Sequence, residues 1–307
     1  MAMGTRFPPF KCSTSTSGRA KGYRPITVRI VMVGWYLTCA SHRDRLLRLS
    51  VVSYLNTVPL IWGILKGRER ELFDLYFAVP SVCAEQVGRG ETDIGIIPAI
   101  EMARQRLSYL PSTGIACRGP VRSILLISKV PLREVRTLAA DSGSKTSVML
   151  ARVILAQRYG VSPRIVPMAP ELPAMFDVAE AALVIGDAAL AVDPATVPFH
   201  VLDLGEEWAA MTGLPMVFAV WAGREDILSC DLDRVFLDSC RFGLTNLDAI
   251  IEQESRRRGL TDGLVREYLT RNVVLQLGDE EHRGLRQFLQ MASELDERVT
   301  PGRLVGC

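Results

Sequence analysis

One pattern restricts this chain more than any other. Short apolar runs stop abruptly at loops of hydroxyls, amides and glycine, and those loops lead into helices. Leu47 to Val52 reads as a buried strand and runs into Ser53-Tyr54-Leu55-Asn56-Thr57. Asn56 or Thr57 then caps a helix, and Pro59 falls in its first turn, where a missing N–H costs nothing. That helix ends near Gly67. Leu75 to Val79 is the next strand, and Pro80-Ser81 opens a helix that stops at Gly88 or Gly90. Asp93 to Ile97 is a third strand, closed by Pro98. Three strands and two helices within about 50 residues make a parallel α/β unit.

The pattern then starts again. Ser123 to Ser128 gives one more apolar strand, and Leu138 to Asp141 opens a second set. A helix from about Thr146 to Tyr159 is capped by Gly160. Arg164 to Pro167 is strand-like, Ala174 to Ala181 helical, and Ala182 to Ile185 a buried strand ending in Gly186-Asp187. Met216 to Trp221 is a further strand. From Asp231 to near Arg298 the chain reads as helical, with Leu285, Phe288, Leu289, Ala292 and Leu295 on one packed face. The simplest arrangement is an α/β protein of two lobes. Residues 47–122 and 222–307 form the first, residues 123–221 the second, and the strands at 123–128 and 216–221 cross between them. Such a body opens and closes by hinge motion. Periodicity alone leaves a single large doubly wound sheet equally open.

Composition narrows the class. The chain has 307 residues, 48% of them hydrophobic, enough for a large core and about two domains. The net charge of +2 hides an asymmetry: residues 1–46 carry eight Lys/Arg against Asp44 alone, so the remaining body is mildly acidic. That argues against a nucleic-acid surface, which needs clustered positive charge. The basic segment is expected to be a disordered extension, or to follow from a start placed too far upstream. A secretion signal fits it less well, because its apolar run is late, short and broken by Arg29. No stretch reaches the roughly 20 apolar residues of a membrane span. Seven cysteines without a CxxC pair and three dispersed histidines give no zinc pattern.

Ligands of parallel α/β sheets sit at the carboxyl ends of strands, facing helix starts. The candidates there are Ser53, Tyr54, Asn56 and Thr57 after the first strand, Pro98 after the third, and Ser123 at the crossing strand. Ser142-Gly143-Ser144-Lys145-Thr146-Ser147 follows the second set's first strand, and Gly186-Asp187 follows its last. Ser144, Thr146 and Ser147 form the most anion-like loop: small residues and hydroxyls ahead of a helix. Each loop taken singly is also explained by helix capping. Cys117 reads as a buried thiol, His200 as a packing or surface residue, and Glu101 as a helix-start acid. No dinucleotide, P-loop, nucleophile-elbow or HExxH motif occurs.

Six segments in order, SYLNTVPL (53–60), GETDIGIIPAIE (90–101), IACRGPVRSILLIS (115–128), LAADSGSKTSV (138–148), ALVIGDAAL (182–190) and LDLGEEWAAMTGLPMVFAVW (202–221), resemble the chorismate dehydratase family of the futalosine route to menaquinone. The resemblance runs from about Leu47 to Glu297. It implies a fold like type II periplasmic solute-binding proteins, with parallel-rich sheets and a helical C-terminal tail. It implies an enzyme acting on chorismate with no metal or redox cofactor. Charge, hydropathy and cysteine usage point to a cytoplasmic protein with no nucleic-acid or membrane partner, and the sequence does not choose between monomer and dimer. The family's Asn of SYLNT and Ser of GPVxS lie in the substrate cleft, and here they are Asn56 and Ser123, the expected catalytic pair. Where the family often has Arg, this chain has Lys145. Two other functions share the fold: a non-catalytic solute-binding protein, and the sister 1,4-dihydroxy-6-naphthoate synthase, whose motif histidine has no counterpart here.

Overall fold

The computed structural model describes residues 46–141, 143–299 and 303–306. Residues 1–45, with almost all of the basic segment, and Ser142 lie outside the described residues.

The chain begins with β1 (Leu47–Val52), a tight turn at Leu55–Thr57, and α1 (Val58–Lys66). It continues through β2 (Phe73–Ala78), α2 (Pro80–Gly88), β3 (Ile94–Pro98), α3 (Ala99–Arg104) and β4 (Ser108–Cys117). It then crosses into a second set of elements. These are β5 (Ile124–Ser128), β6 (Thr137–Asp141), α4 (Lys145–Ile154), β7 (Arg164–Met168), α5 (Leu172–Val178), β8 (Ala181–Ile185), α6 (Gly186–Leu190), β9 (His200–Asp203) and α7 (Leu204–Thr212). The return is β10 (Met216–Gly223), α8 (Cys230–Thr245), α9 (Leu247–Arg258), α10 (Asp262–Glu267), β11 (Val274–Gln276), α11 (Asp279–Ser293) and β12 (Arg303–Leu304).

Two sheets result. The first runs β11-β4-β10-β3-β1-β2, with β12 also on β4, and the second runs β7-β6-β8-β5-β9. β1, β2 and β3 are parallel, as are β6, β7 and β8. β10 and β5 run antiparallel to their neighbours. Both sheets therefore keep the parallel α/β units read from the sequence and add reversed strands, β10 and β11 in the first and β5 in the second. The strands at 123–128 and 216–221, both read as crossings, each lie wholly in one sheet: β5 in the second between β8 and β9, and β10 in the first between β3 and β4. The passages between sheets are instead residues 118–123 and α7 with residues 213–215. The C-terminal region is not continuously helical either, because β11 interrupts it and extends the first sheet at β4. β4 itself escaped the periodicity, since Pro111, Ser112, Thr113 and Gly114 break its apolar run.

The tail is locked onto the first sheet by α1 and α8. Seven consecutive α1 residues, Val58 to Ile64, are buried, so the helix is enclosed on every side. The contact is close because small residues line it. A Cβ on Gly243 would stand 2.0 Å from the Pro59 carbonyl oxygen, and one on Gly63 2.5 Å from the Ser239 Cα. Ser239 Oγ donates to Leu60 O at 2.8 Å and accepts from Ile64 N–H at 3.1 Å. No helix among the described residues is long and apolar enough to cross a membrane.

Gly243→Ala must push α1 and α8 apart and is expected to lower unfolding free energy by about 1–3 kcal/mol, as overpacking does. Gly263→Ala in α10 meets nothing within 4 Å and is expected to be neutral or stabilising by up to about 1 kcal/mol. Urea unfolding of the two variants checks both; equal stabilities would contradict the packing account.

Candidate active site

Between the sheets lies a cleft that holds about 510 Å³ of empty space, part of it open to solvent. Its wall is mainly apolar, from Val52, Ile115, Val121, Ile124, Ile185 and Phe218. The polar lining comes from Tyr54, Asn56, Ser123, Ser144 and Ser147, with Gly186 and Pro98 at the edges. These residues belong to both sheets. The cavity sits where the carboxyl ends of β1, β3, β6 and β8 face one another. No carboxylate, imidazole or ammonium is among the lining residues.

Asn56 and Ser123 meet through a residue that the sequence reading missed. Asn56 Nδ2 donates to Tyr268 Oη at 3.0 Å, and Tyr268 Oη donates to Ser123 Oγ at 2.9 Å. Tyr268 is 1% exposed, and burial pushes its phenol up to about 12, so it stays protonated. It follows α10 at the start of a π-turn, Tyr268–Asn272. The one signal for it was a tyrosine inside an otherwise apolar helical face, since a buried phenol must find a partner. Asn56 caps no helix: the turn at Leu55–Thr57 and α1 both lack a side-chain cap bond. Thr57 is fully buried behind the wall, and its hydroxyl approaches Asn56 Oδ1 at 3.4 Å.

Ser123 is delivered by a tight turn. Its N–H bonds Val121 O at 2.7 Å, and the intervening Arg122 has φ 64°, a left-handed conformation that side chains resist. Two sets of bonds hold it. The Asp203 carboxylate accepts from the N–H groups of Val121 at 2.9 Å and Arg122 at 2.6 Å. The Arg122 guanidinium donates to the carbonyls of Ala189, Leu190 and Val192 behind α6. Cys117, at the start of this crossing, is buried, and desolvation pushes its thiol up to about 12; it is an inert packing group.

On the opposite wall is the N-terminus of α4. Ser144 Oγ donates to Ser147 Oγ at 2.7 Å, and both line the cavity. The first-turn N–H groups of Lys145, Thr146 and Ser147 have no intrahelical acceptor, so the helix offers donors and a positive end. Lys145 itself is exposed. Thr146 lies behind the wall, where its hydroxyl accepts from Ile100 N–H at 3.3 Å and ties α4 to α3 of the other lobe.

The remaining predicted positions join the lobes rather than line the space. The Asp187 carboxylate pairs with Arg258 at the end of α9, and also accepts from Leu55 N–H at 3.1 Å. Arg258 in turn donates to the carbonyl of Ser53 at 3.0 Å and to Glu254 at 3.0 Å. Gly186, with φ 60°, lies flat against the Tyr54 ring, where a Cβ would approach to 3.0 Å. Ser81 N–H bonds Gly143 O at 3.1 Å across the same gap. His200 is exposed at the edge strand β9, and Glu101 pairs with Arg104 at 2.7 Å; neither faces the cavity.

Comparison with known proteins follows the same outline. The sequence profile of a family described as menaquinone biosynthesis matches residues 47–294. The chorismate dehydratase of Thermus thermophilus is 28% identical over 260 residues, which cover 79% of this chain and 93% of that protein. Among solved structures, a protein from Archaeoglobus fulgidus superposes with a TM-score of 0.64 at 16% identity, over 84% of this chain and all of the other. The periplasmic aliphatic sulphonate binding protein of Escherichia coli superposes with a TM-score of 0.57 at 15% identity, over 85% and 94%. A Candida albicans protein described as having the generic periplasmic binding protein fold gives 0.53 at 13%, over 86% and 98%. The two-lobed binding-protein fold is thus shared at low identity.

Asp187→Ala leaves Arg258 and the Leu55 N–H without their shared acceptor across the gap. Because the Asp187 side chain is 31% exposed, the cost is expected to be about 1–3 kcal/mol, below that of a fully buried pair. Chemical denaturation measures it, and X-ray scattering should show a larger radius of gyration as the lobes part. A variant as stable and as compact as the parent would show that this contact does not hold the lobes closed.

Proposed function

The chain belongs to the menaquinone-biosynthesis family, and from that premise we propose that it is a chorismate dehydratase, converting chorismate to 3-[(1-carboxyvinyl)oxy]benzoate and water. The activity is that of a hydro-lyase. On this reading the step belongs to the futalosine route and takes place in the cytoplasm.

The observation that carries the reading is a cleft of converging neutral donors, with no charged side chain among the described residues of its wall. Chorismate has a ring carboxylate, a second carboxylate on its enolpyruvyl ether, and a hydroxyl next to the ether carbon. Removal of the ether-carbon hydrogen sends the C–H electron pair through the ring double bond into the ring carboxylate. The pair then returns to form the last ring double bond as the neighbouring hydroxyl leaves. The abstracted proton and the hydroxyl together make water, and aromatisation supplies the driving force.

Each part of the wall suits one demand of that reaction. The α4 N-terminus with Ser144 and Ser147 suits a carboxylate, through N–H and hydroxyl donors rather than a cation. We assign Asn56 and Ser123 as donors to the dienolate oxygens or to the departing hydroxyl, where charge grows during the reaction. Tyr54, Ser53, Thr57, Pro98, Thr146, Gly186 and Asp187 shape and close the cleft around the substrate. Because no carboxylate, imidazole or amine lines the space among the described residues, the substrate's own side-chain carboxylate is the base in this proposal. A site that excludes water and offers that carboxylate no counter-ion keeps it basic.

Incubation with chorismate should remove its diene absorbance and yield an aromatic product. Binding without turnover would indicate a solute-binding protein, and turnover of the naphthoate synthase substrate alone would indicate the sister activity. Ser123→Ala and Asn56→Ala are each expected to lower kcat about 10²-fold or more, the scale for one lost preorganised donor. If either residue were only a structural prop, its variant would lose stability and keep its turnover, so kcat and Tm are measured on the same samples.

A further inference from the structure

We propose that Tyr268 is a positioning residue that fixes the direction of both donors at the site, so that Asn56 and Ser123 present hydrogens rather than lone pairs to the substrate. The inference rests on the assignment of Asn56 and Ser123 made above. Tyr268 is not among the residues lining the cavity, so it acts through the other two.

The argument is a count of hydrogens. A phenol has one hydrogen to give and lone pairs to receive with. The Asn56 amide nitrogen is a donor only, so at 3.0 Å the phenol must accept from it. The phenol hydrogen is then spent on Ser123 Oγ at 2.9 Å. Ser123 Oγ therefore accepts from Tyr268, and its own hydrogen is left for the cavity; among the described residues this hydroxyl has no other hydrogen-bond partner. Asn56 keeps its second N–H in the same way, while its Oδ1 is occupied by the Thr57 hydroxyl at 3.4 Å. Without the phenol, Ser123 would rotate freely and could present either end. With it, both residues face the cavity as donors, which suits growing negative charge and a departing hydroxyl.

The backbone supports this role. The π-turn Tyr268–Asn272 carries Tyr268 out of the regular helical register, and such turns recur at functional sites. Asn272, at the other end of the turn, donates from its side chain to Pro120 O at 2.9 Å, three residues before Ser123. The same turn of the C-terminal region thus grips both the Ser123 side chain and the crossing that delivers it. A phenol held up near 12 by burial keeps its hydrogen throughout the working pH range.

The test is Tyr268→Phe, which removes one oxygen and keeps the ring. The expected result is a kcat lower by about 10- to 100-fold, as when a group that orients an active residue is lost, with KM for chorismate within about threefold. In the double variant Tyr268→Phe/Ser123→Ala, removal of the phenol should cost less than it does alone, because only its hold on Asn56 is left to lose. An unchanged kcat in Tyr268→Phe, or losses that multiply in the double variant, would overturn the proposal. Full activity in Ser123→Ala and Asn56→Ala would instead remove the site assignment on which it stands. If Tyr268→Phe does not fold, replacement of Tyr268 by 3-fluorotyrosine keeps the ring and hydroxyl and strengthens the phenol as a donor. The more acidic phenol loses the hydrogen it gives Ser123 at a lower pH, so an alkaline limb of kcat moved to lower pH at constant Tm supports the proposal, and an unmoved limb overturns it.

Discussion

The Asp203 carboxylate is the point on which the architecture turns. Its two oxygens accept from Val121 and Arg122 on one passage between the sheets, and from Gly205 and Glu206 at the start of the other. A single side chain therefore caps α7 and clamps both passages together. The clamp is close: a Cβ on Gly205 would lie 2.6 Å from the Cys117 sulphur and from the Gly119 carbonyl oxygen. Burial pushes the carboxyl above its ordinary value, while the four N–H donors pull the other way. The left-handed backbone at Arg122 persists because these bonds over-determine it, and that backbone aims Ser123 into the cavity. Lobe geometry and site geometry thus depend on the same contact.

The cavity walls carry the second constraint. A dianionic substrate would ordinarily attract lysines and arginines to a binding site. Here Arg258 is consumed by Asp187, Glu254 and the Ser53 carbonyl, Arg122 by three carbonyls, and Lys145 is exposed. The basic groups near the cleft fix its shape and leave its interior neutral. A fixed cation beside the substrate's side-chain carboxylate would lower its basicity, whereas N–H and hydroxyl donors can hold a carboxylate with less loss of proton affinity. The fold is shared with solute-binding proteins, and on the proposed reading the neutral, donor-lined wall suits proton abstraction by the substrate's own carboxylate.

Much of this was legible in the residues themselves. The runs at 47–52, 93–97, 123–128, 138–141 and 182–185 are almost wholly apolar because each strand is covered on both faces, and all five are buried strands in the structure. The loops after them had to hold polar groups because strand ends meet helix starts there. That placed Tyr54, Asn56, Ser123, Ser144, Ser147 and Gly186 at one cleft, where all six now line the cavity. Other elements gave no such signal. β4 is broken by Pro111 and Gly114, and β11 is three residues long, too short for any period to register. β10 looked like a crossing because it is followed by the helical tail, and periodicity carries no information on which neighbour a strand pairs with.

What the sequence determined by itself was therefore local: which segments alternate between strand and helix, where polar groups gather at their ends, and that no metal or dinucleotide motif occurs among them. Two sheets rather than one, the place of β10, and the partners of each polar group were decided by tertiary structure. Asn56 and Thr57 look the same in sequence as helix caps, yet one lines the cavity and the other stands behind it. Asp187 reads as a ligand and is consumed by an arginine 71 residues away. Tyr268 lies 212 residues from Asn56 and 145 from Ser123, so nothing in the local pattern around it records that both hydrogen bonds end on one oxygen. Period and composition report what a residue prefers nearby, whereas the direction of a hydrogen bond depends on which distant groups the closed fold brings within about 3 Å.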